Sequence, residues 1–109
     1  MKLKELIDQF ELTALTNIED KEISGVYLSD MLSDVMSSAK SGSIWITIQT
    51  HKNIVSAANL IDLSAIIVTN GKKVPDDTIE LANRFFVNII SSSLPTYELA
   101  TKFIEAGIK

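Results

Sequence analysis

Ala65-Ile66-Ile67-Val68-Thr69-Asn70-Gly71 is the stretch on which the fold turns. Four apolar residues in a row, two of them isoleucine and one valine, break at once into a polar turn. A run so short and β-branched reads as a strand covered on both faces. Asn70-Gly71 then turns the chain, because glycine accepts positive φ without steric cost. A strand without a solvent face needs layers on either side, which implies a parallel sheet with helices packed against it.

Working outward, the same alternation recurs. Upstream, Ile44-Trp45-Ile46-Thr47-Ile48 is a β-branched and aromatic run, hence a strand. Asn53 is placed to cap a helix carrying Ile54, Val55, Ala57, Ala58 and Ile61. Before these, Ile23 to Leu28 reads as a strand, followed by a helix with Met31, Leu32, Val35, Met36 and Ala39 on its packed side. Gly42 is expected to end that helix, with Lys40 in its last turn. Downstream, Pro75 with Asp76 and Asp77 opens a helix, and Phe85 to Ile90 makes a further strand. A last helix starts at Pro95 and Glu98, uses Tyr97, Ala100, Phe103 and Ile104, and stops at Gly107. At the N-terminus, Leu3, Leu6, Ile7 and Phe10 form an amphipathic stripe, followed by a brief extended piece from Leu12 to Thr16.

The strand centres fall near Val26, Ile46, Ile66 and Val87, about twenty residues apart. That interval holds one strand, one helix and two short loops, so the expected class is α/β: a mostly parallel sheet of four to five strands flanked by helices. No linker or low-complexity segment divides residues 1–109, which read as a single domain. Apolar residues make up 46% of the chain, enough for a core without a staple.

Composition removes several kinds of function. With no cysteine there is no disulfide, thiolate nucleophile or zinc–thiolate site. A net charge of -4, with Arg84 the only arginine and the lysines scattered, argues against nucleic-acid binding. The opening Met1-Lys2-Leu3-Lys4-Glu5-Leu6 builds no apolar signal region, and no apolar run can span a bilayer, so a cytoplasmic, membrane-free protein is expected. None of the four glycines stands in a Gly-x-Gly-x-x-Gly or P-loop pattern, and there is no Gly-x-Ser-x-Gly elbow. One histidine is too few for a metal centre; Asp76 and Asp77 read as helix-start acids, with a carboxylate magnesium site as the open alternative. No catalytic residue and no cofactor is implied, and the chain is read as a non-enzyme. An enzyme of unfamiliar type would need Asp30 or His51 inside a closed pocket.

In a parallel sheet, ligands bind beyond the carboxyl ends of the strands. Those ends are followed here by Ser29-Asp30, by Gln49-Thr50-His51-Lys52-Asn53, by Thr69-Asn70-Gly71-Lys72-Lys73 and by Ser91-Ser92-Ser93. Together they offer hydroxyls, amides, a carboxylate, ammonium groups and amides at helix starts, suited to a polar or phosphorylated small molecule. Polar loops and capping residues would produce much of the same pattern without any ligand. Asn70-Gly71 alone reads as an ordinary turn, Lys72 and Lys73 as a solvated face, and His51 as a surface or ligand-contacting residue rather than a general base. The Met31 to Ala39 stripe and Trp45 read as core, the indole N–H needing a partner.

Three segments carry a family resemblance: Gly25-Val26-Tyr27-Leu28-Ser29-Asp30, Gly42-Ser43-Ile44-Trp45-Ile46-Thr47 and Ile66-Ile67-Val68-Thr69-Asn70-Gly71. The span from Ile23 to Gly107 resembles the DRTGG domain. That family occurs as stand-alone small proteins, often labelled serine-kinase-like, and as regulatory parts of CBS-domain pyrophosphatases and some phosphate acetyltransferases. It is related to the non-catalytic N-terminal domain of HPr kinase/phosphorylase. The resemblance implies a compact three-layer α/β domain, a homodimer, and a place in adenine-nucleotide-responsive regulation. Two departures stand out. Thr50-His51 takes the place of the family's Asp-Arg, and Thr69-Asn70-Gly71 that of Thr-Gly-Gly, so the bidentate arginine contact to phosphate is missing.

The resulting expectation is a regulatory, ligand-sensing domain. It would bind an adenine nucleotide or other small polar metabolite through Ser29, Asp30, Thr50, His51, Asn70 and Gly71. The alternative is an accessory subunit of a metabolic or redox enzyme, contacting its partner through the Trp45 strand and helix faces, with no small-molecule ligand.

Overall fold

The computed structural model describes residues 1–109. Helix α1 (Leu3–Gln9) and a short strand β1 (Thr13–Ala14) precede four strand–helix units. These are β2 (Gly25–Leu28) with α2 (Leu32–Ser38), β3 (Ser43–Thr47) with α3 (Asn53–Ile61), β4 (Ala65–Val68) with α4 (Asp76–Arg84), and β5 (Ile89–Ser91) with α5 (Thr96–Glu105). One sheet runs in the order β1-β5-β4-β3-β2. Strands β2 to β5 are parallel and β1 joins β5 antiparallel.

Alternation along the buried strands sets the layers. Trp45, Ile66, Val68 and Ile89 face one core, completed by Val35 of α2, by Ile54, Val55, Ala57 and Ala58 of α3, and by Ala82 of α4. Ile44, Ile46, Ala65, Ile67 and Ile90 face the other, against Leu3 and Leu6 of α1 and Leu99 and Phe103 of α5. The result is three layers, helix–sheet–helix. Phe10 meets Phe103 edge-on at 4.8 Å, locking α1 to α5. Each such side chain taken wholly out of water contributes about 1.5–3 kcal/mol, so the two cores together drive the fold. No helix is long and apolar enough to cross a membrane.

Several expectations need correction. Helix α2 has only seven residues and turns Val35 alone fully inward, leaving Met31 and Met36 exposed. It stops at Ser38, so Lys40 lies outside its last turn, and Gly42 instead makes the turn into β3 at φ 82°. Phe85 and Phe86 are not strand: both are exposed beyond the end of α4, Phe86 at φ 58°, and β5 begins only at Ile89. In α5 the packed side is Leu99 and Phe103, while Tyr97 and Ile104 face outward. Trp45 does lie in the core, fully buried, its indole N–H donating to the Ser29 carbonyl at 2.7 Å.

At the amino ends of the strands, buried polar side chains fasten residues 16–24 beneath the sheet. The Asn88 amide accepts from the Glu19 N–H (2.8 Å) and donates to the carbonyls of Glu19 (2.9 Å) and Ser64 (2.8 Å). Ser64 Oγ lies 2.6 Å from the Glu22 carbonyl and 2.7 Å from that of Gly42. Thr16 Oγ1 accepts from the Ile89 N–H at 3.1 Å. Burial without these bonds would cost each group about 1–3 kcal/mol.

Candidate functional site

Parallel strands send all four following loops to the same end of the sheet, and hydrogen bonds tie them into a rim. After β2, Asp30 turns its carboxylate across to β3. One oxygen accepts from Thr47 Oγ1 (3.0 Å) and from the Ile48 N–H (2.9 Å), and the Asp30 carbonyl accepts from Gln49 Nε2 (2.9 Å). Ser29 is half-buried; its hydroxyl accepts from the Met31 N–H at 3.2 Å and its carbonyl seats the Trp45 indole.

The loop after β3 connects to α4 through the Thr50 carbonyl, which accepts from Thr78 Oγ1 at 2.9 Å. His51 takes the capping role expected of Asn53. Its Nδ1 accepts from the Asn53 N–H at 3.1 Å, and Asn53 is the first residue of α3 rather than its cap. Accepting at Nδ1 leaves Nε2 as the ring nitrogen free for a ligand.

On the far side of β4, Asn70 and Gly71 both sit in the left-handed region, at φ 61° and 60°. Their amides are spent on the neighbouring loop: Asn70 N–H donates to the Leu94 carbonyl (2.9 Å) and Gly71 N–H to that of Ser92 (3.0 Å). Thr69 Oγ1 and Thr96 Oγ1 are 2.6 Å apart, closing the same junction. These amides therefore serve as fastenings and are not free to donate to a ligand.

The rim thus holds three groups. Ser29 and Asp30 belong with β3, Asn70 and Gly71 with the start of α5, and Thr50 and His51 stand between, at the entrance to α3 and α4. No cavity gathers all six. His51 alone of them lines a cleft of about 470 Å³ between α3 and α4, together with Lys52, Asn53, Ser56, Asp77, Glu80 and Arg84. Both ion pairs in the structure lie elsewhere, Met1 N with Glu22 at 3.5 Å and Lys21 with Asp62 at 3.6 Å. Lys52 and Arg84 are consequently unpaired cations facing a polar cleft, with Asp77 and Glu80 as unpaired acceptors. The signal for these residues was present in the sequence. Asp77, Leu81 and Arg84 share one face of α4 by helical spacing, as Lys52 and Ser56 do at α3.

No group of three or more His, Asp or Glu is arranged to hold a metal ion, and Asp76 and Asp77 occupy the first turn of α4. Every buried side-chain polar atom has a partner.

Among solved structures, the chain is similar to the CBS and DRTGG domains of the regulatory region of Clostridium perfringens pyrophosphatase, complexed with activator, diadenosine tetraphosphate. The match has 19% sequence identity and a TM-score of 0.70, covering 91% of this chain and 44% of that one. At that identity the likeness shows a shared fold, and this chain spans less than half of the neighbour's length. No curated protein matches. The family model of the DRTGG domain matches residues 6–106, nearly the whole sequence. On that match, the chain belongs to the DRTGG domain family.

Proposed function

We propose that this domain is a non-catalytic regulatory module that senses a small polar metabolite, an adenine nucleotide foremost, at the carboxyl edge of its sheet. The carrying observation is a polar cleft that starts at His51 and Lys52 on the rim and runs between α3 and α4 to Arg84 in the last turn of α4, with neither Lys52 nor Arg84 in an ion pair. Phosphate oxygens suit Lys52 and the Arg84 fork, while Asp77 and Glu80 can accept from ribose hydroxyls or an exocyclic amine. Arg84 offers a guanidinium from α4, a different element from the Asp-Arg position now held by Thr50-His51. Ser29, Asp30, Asn70 and Gly71 frame the rim on either side. The pyrophosphatase neighbour, complexed with a dinucleotide activator, makes adenine nucleotides the first ligands to try. The module is proposed to act as a cytoplasmic homodimer that conveys occupancy to an enzyme.

Titration calorimetry with AMP, ADP, ATP and diadenosine tetraphosphate tests the reading. Saturable heat is expected, weakened at least about tenfold by Arg84→Ala, the scale of a lost charged hydrogen bond. No heat with any of the four, and none with other phosphorylated metabolites, overturns it.

One observation favours the accessory-subunit alternative: Phe85 and Phe86 are exposed side by side, with Phe86 in a backbone region that bulky residues avoid. Phe86→Asn should relieve about 1 kcal/mol of strain while removing the aromatic surface. A partner recovered from the native host that still binds this variant equally well counts against the alternative.

A further inference from the structure

Strand β3 buries all five of its residues, and one of them, Ser43, is buried without a bond. It is only 6% exposed, yet its hydroxyl has no hydrogen-bond partner in the chain. No polar side-chain atom sealed from solvent lacks a partner, so Ser43 Oγ looks out through an opening. That opening is a hollow of about 490 Å³, walled by Ser24, Tyr27, Ser38, Lys40, Ser41 and Lys109, with Gly25 and Ser43 at its floor. The shortness of α2 makes it. Gly25 pairs with Ser43 across β2 and β3, as Tyr27 does with Trp45, and residues two apart on a strand share a face. Helix α2 covers the Tyr27–Trp45 row but stops at Ser38, after about 10 Å of helix. The Gly25–Ser43 row is left with no helix over it.

We propose that this hollow is a second ligand site, at the opposite end of the sheet from the rim, and that it takes the phosphate of a small phosphomonoester. Its charge is the reverse of the chain's. The sequence carries -4 overall, but no Asp or Glu lines the hollow, and neither Lys40 nor Lys109 is in an ion pair. Two ammonium groups and one uncommitted hydroxyl donor are suited to phosphate oxygens, which only accept. Ser24 Oγ and Ser41 Oγ already donate, to the carbonyls of Ser41 (3.0 Å) and Asp62 (3.3 Å), and so hold the walls. The volume is that of a small-molecule site rather than of a bare ion, which leaves room for the organic part of an ester beside Tyr27. Gly25 controls access. Its backbone lies outside the left-handed region, so local conformation does not require glycine there. A Cβ at that position would stand 3.5 Å from Ser43 Oγ and 3.8 Å from the Lys109 carbonyl. Both are ordinary contacts, which the fold accommodates, but they lay a methyl group over the free hydroxyl.

Amide NMR titration of the native chain with glycerol 3-phosphate, inorganic phosphate and glycerol tests the site. Glycerol 3-phosphate should shift the Gly25, Lys40 and Ser43 amides saturably, inorganic phosphate the same amides with weaker affinity, and glycerol none. Gly25→Ala should abolish the shifts while its spectrum stays that of the native fold. Ser43→Ala should weaken binding about five- to tenfold, the scale of one hydrogen bond. Because the Ser43 hydroxyl bonds to nothing in the chain, that variant should keep or raise the thermal midpoint, whereas Ser64→Ala, which loses two bonds to carbonyls, should lower it. Shifts confined to the α3–α4 cleft, shifts that survive Gly25→Ala, an ester that binds no tighter than inorganic phosphate, or no shift with either phosphate would each overturn the proposal. So would a Ser43→Ala variant as destabilised as Ser64→Ala, since the hydroxyl would then belong to the structural set. None of these outcomes bears on nucleotide uptake at the rim.

Discussion

The two ends of the sheet put polar side chains to different purposes. At the amino end, Ser64, Asn88 and Thr16 are buried, each bonded to backbone, and they hold residues 16–24 in place. At the carboxyl end, Asp30, His51 and Asn70 are exposed, and each keeps polar capacity beyond the bonds it makes. Asparagine is thus structural at position 88, where water is excluded, and available at position 70, where it is not. Residue type does not assign the role; burial does.

The sharpest way to break this contrast is Asn88→Ala. It removes three hydrogen bonds at once and leaves the buried Ser64 carbonyl and both backbone groups of Glu19 without partners, so about 3 kcal/mol should be lost in denaturant unfolding. Ligand binding at the opposite end should survive. Ser64→Ala should cost about 1.5 kcal/mol by the same route. On the rim, Asp30→Ala should cost only about 1 kcal/mol, and His51→Ala about 0.5–1 kcal/mol as a lost cap. Calorimetry should show these two rim variants impaired in ligand uptake more than in stability. An Asp30→Ala change as damaging as Asn88→Ala would erase the distinction between the two ends.

The smallest effect belongs to Tyr27, whose hydroxyl donates to Asp34 Oδ2 at 2.8 Å. That bond, first among the causes, holds the phenol's pKa above its ordinary 10.0. Folding therefore favours the protonated phenol. Its stabilising contribution is present below pH 10 and fades as pH rises through the raised value. Stability profiles of the native chain and Tyr27→Phe should differ at neutral pH and converge in strong alkali; parallel profiles would show that the bond contributes nothing.

The buried strands were legible in the sequence because a strand covered on both faces leaves an unbroken apolar run. Ala65 to Val68 matches the expected bounds, and Ser43–Thr47 is displaced by one residue from the run that announced it. Exposed apolar residues were not legible, since pattern cannot tell an inward face from an unpartnered one. Met31 and Met36 stand at helical spacing beside Val35, but a seven-residue helix offers only one deep position. Phe85-Phe86-Val87 looks like the start of a strand, yet the chain reverses there and the pairing begins two residues past Val87. The rim was legible as a location, because parallel strands send their tails one way. Its inner wiring was not: Asn70 and Gly71 donate to Leu94 and Ser92, more than twenty residues on, and the α3–α4 cleft needs two helices side by side.

Residues 16–19 are fastened to Asn83 in α4, to Asn88 and to Ile89 at the start of β5, with a consequence for how the chain reaches this state. The bonds span 66, 69 and 73 positions of sequence, whereas each neighbouring parallel pair among β2 to β5 is joined by a single local crossover. Distant partners carry a larger entropic toll for closing the chain, so the local units should assemble first and the leading segment should dock late. During translation at about 5–20 residues per second, Glu19 would wait roughly 3–14 seconds before the ribosome delivers Asn88. For that interval the earlier-made partners of these bonds are the last to find their place.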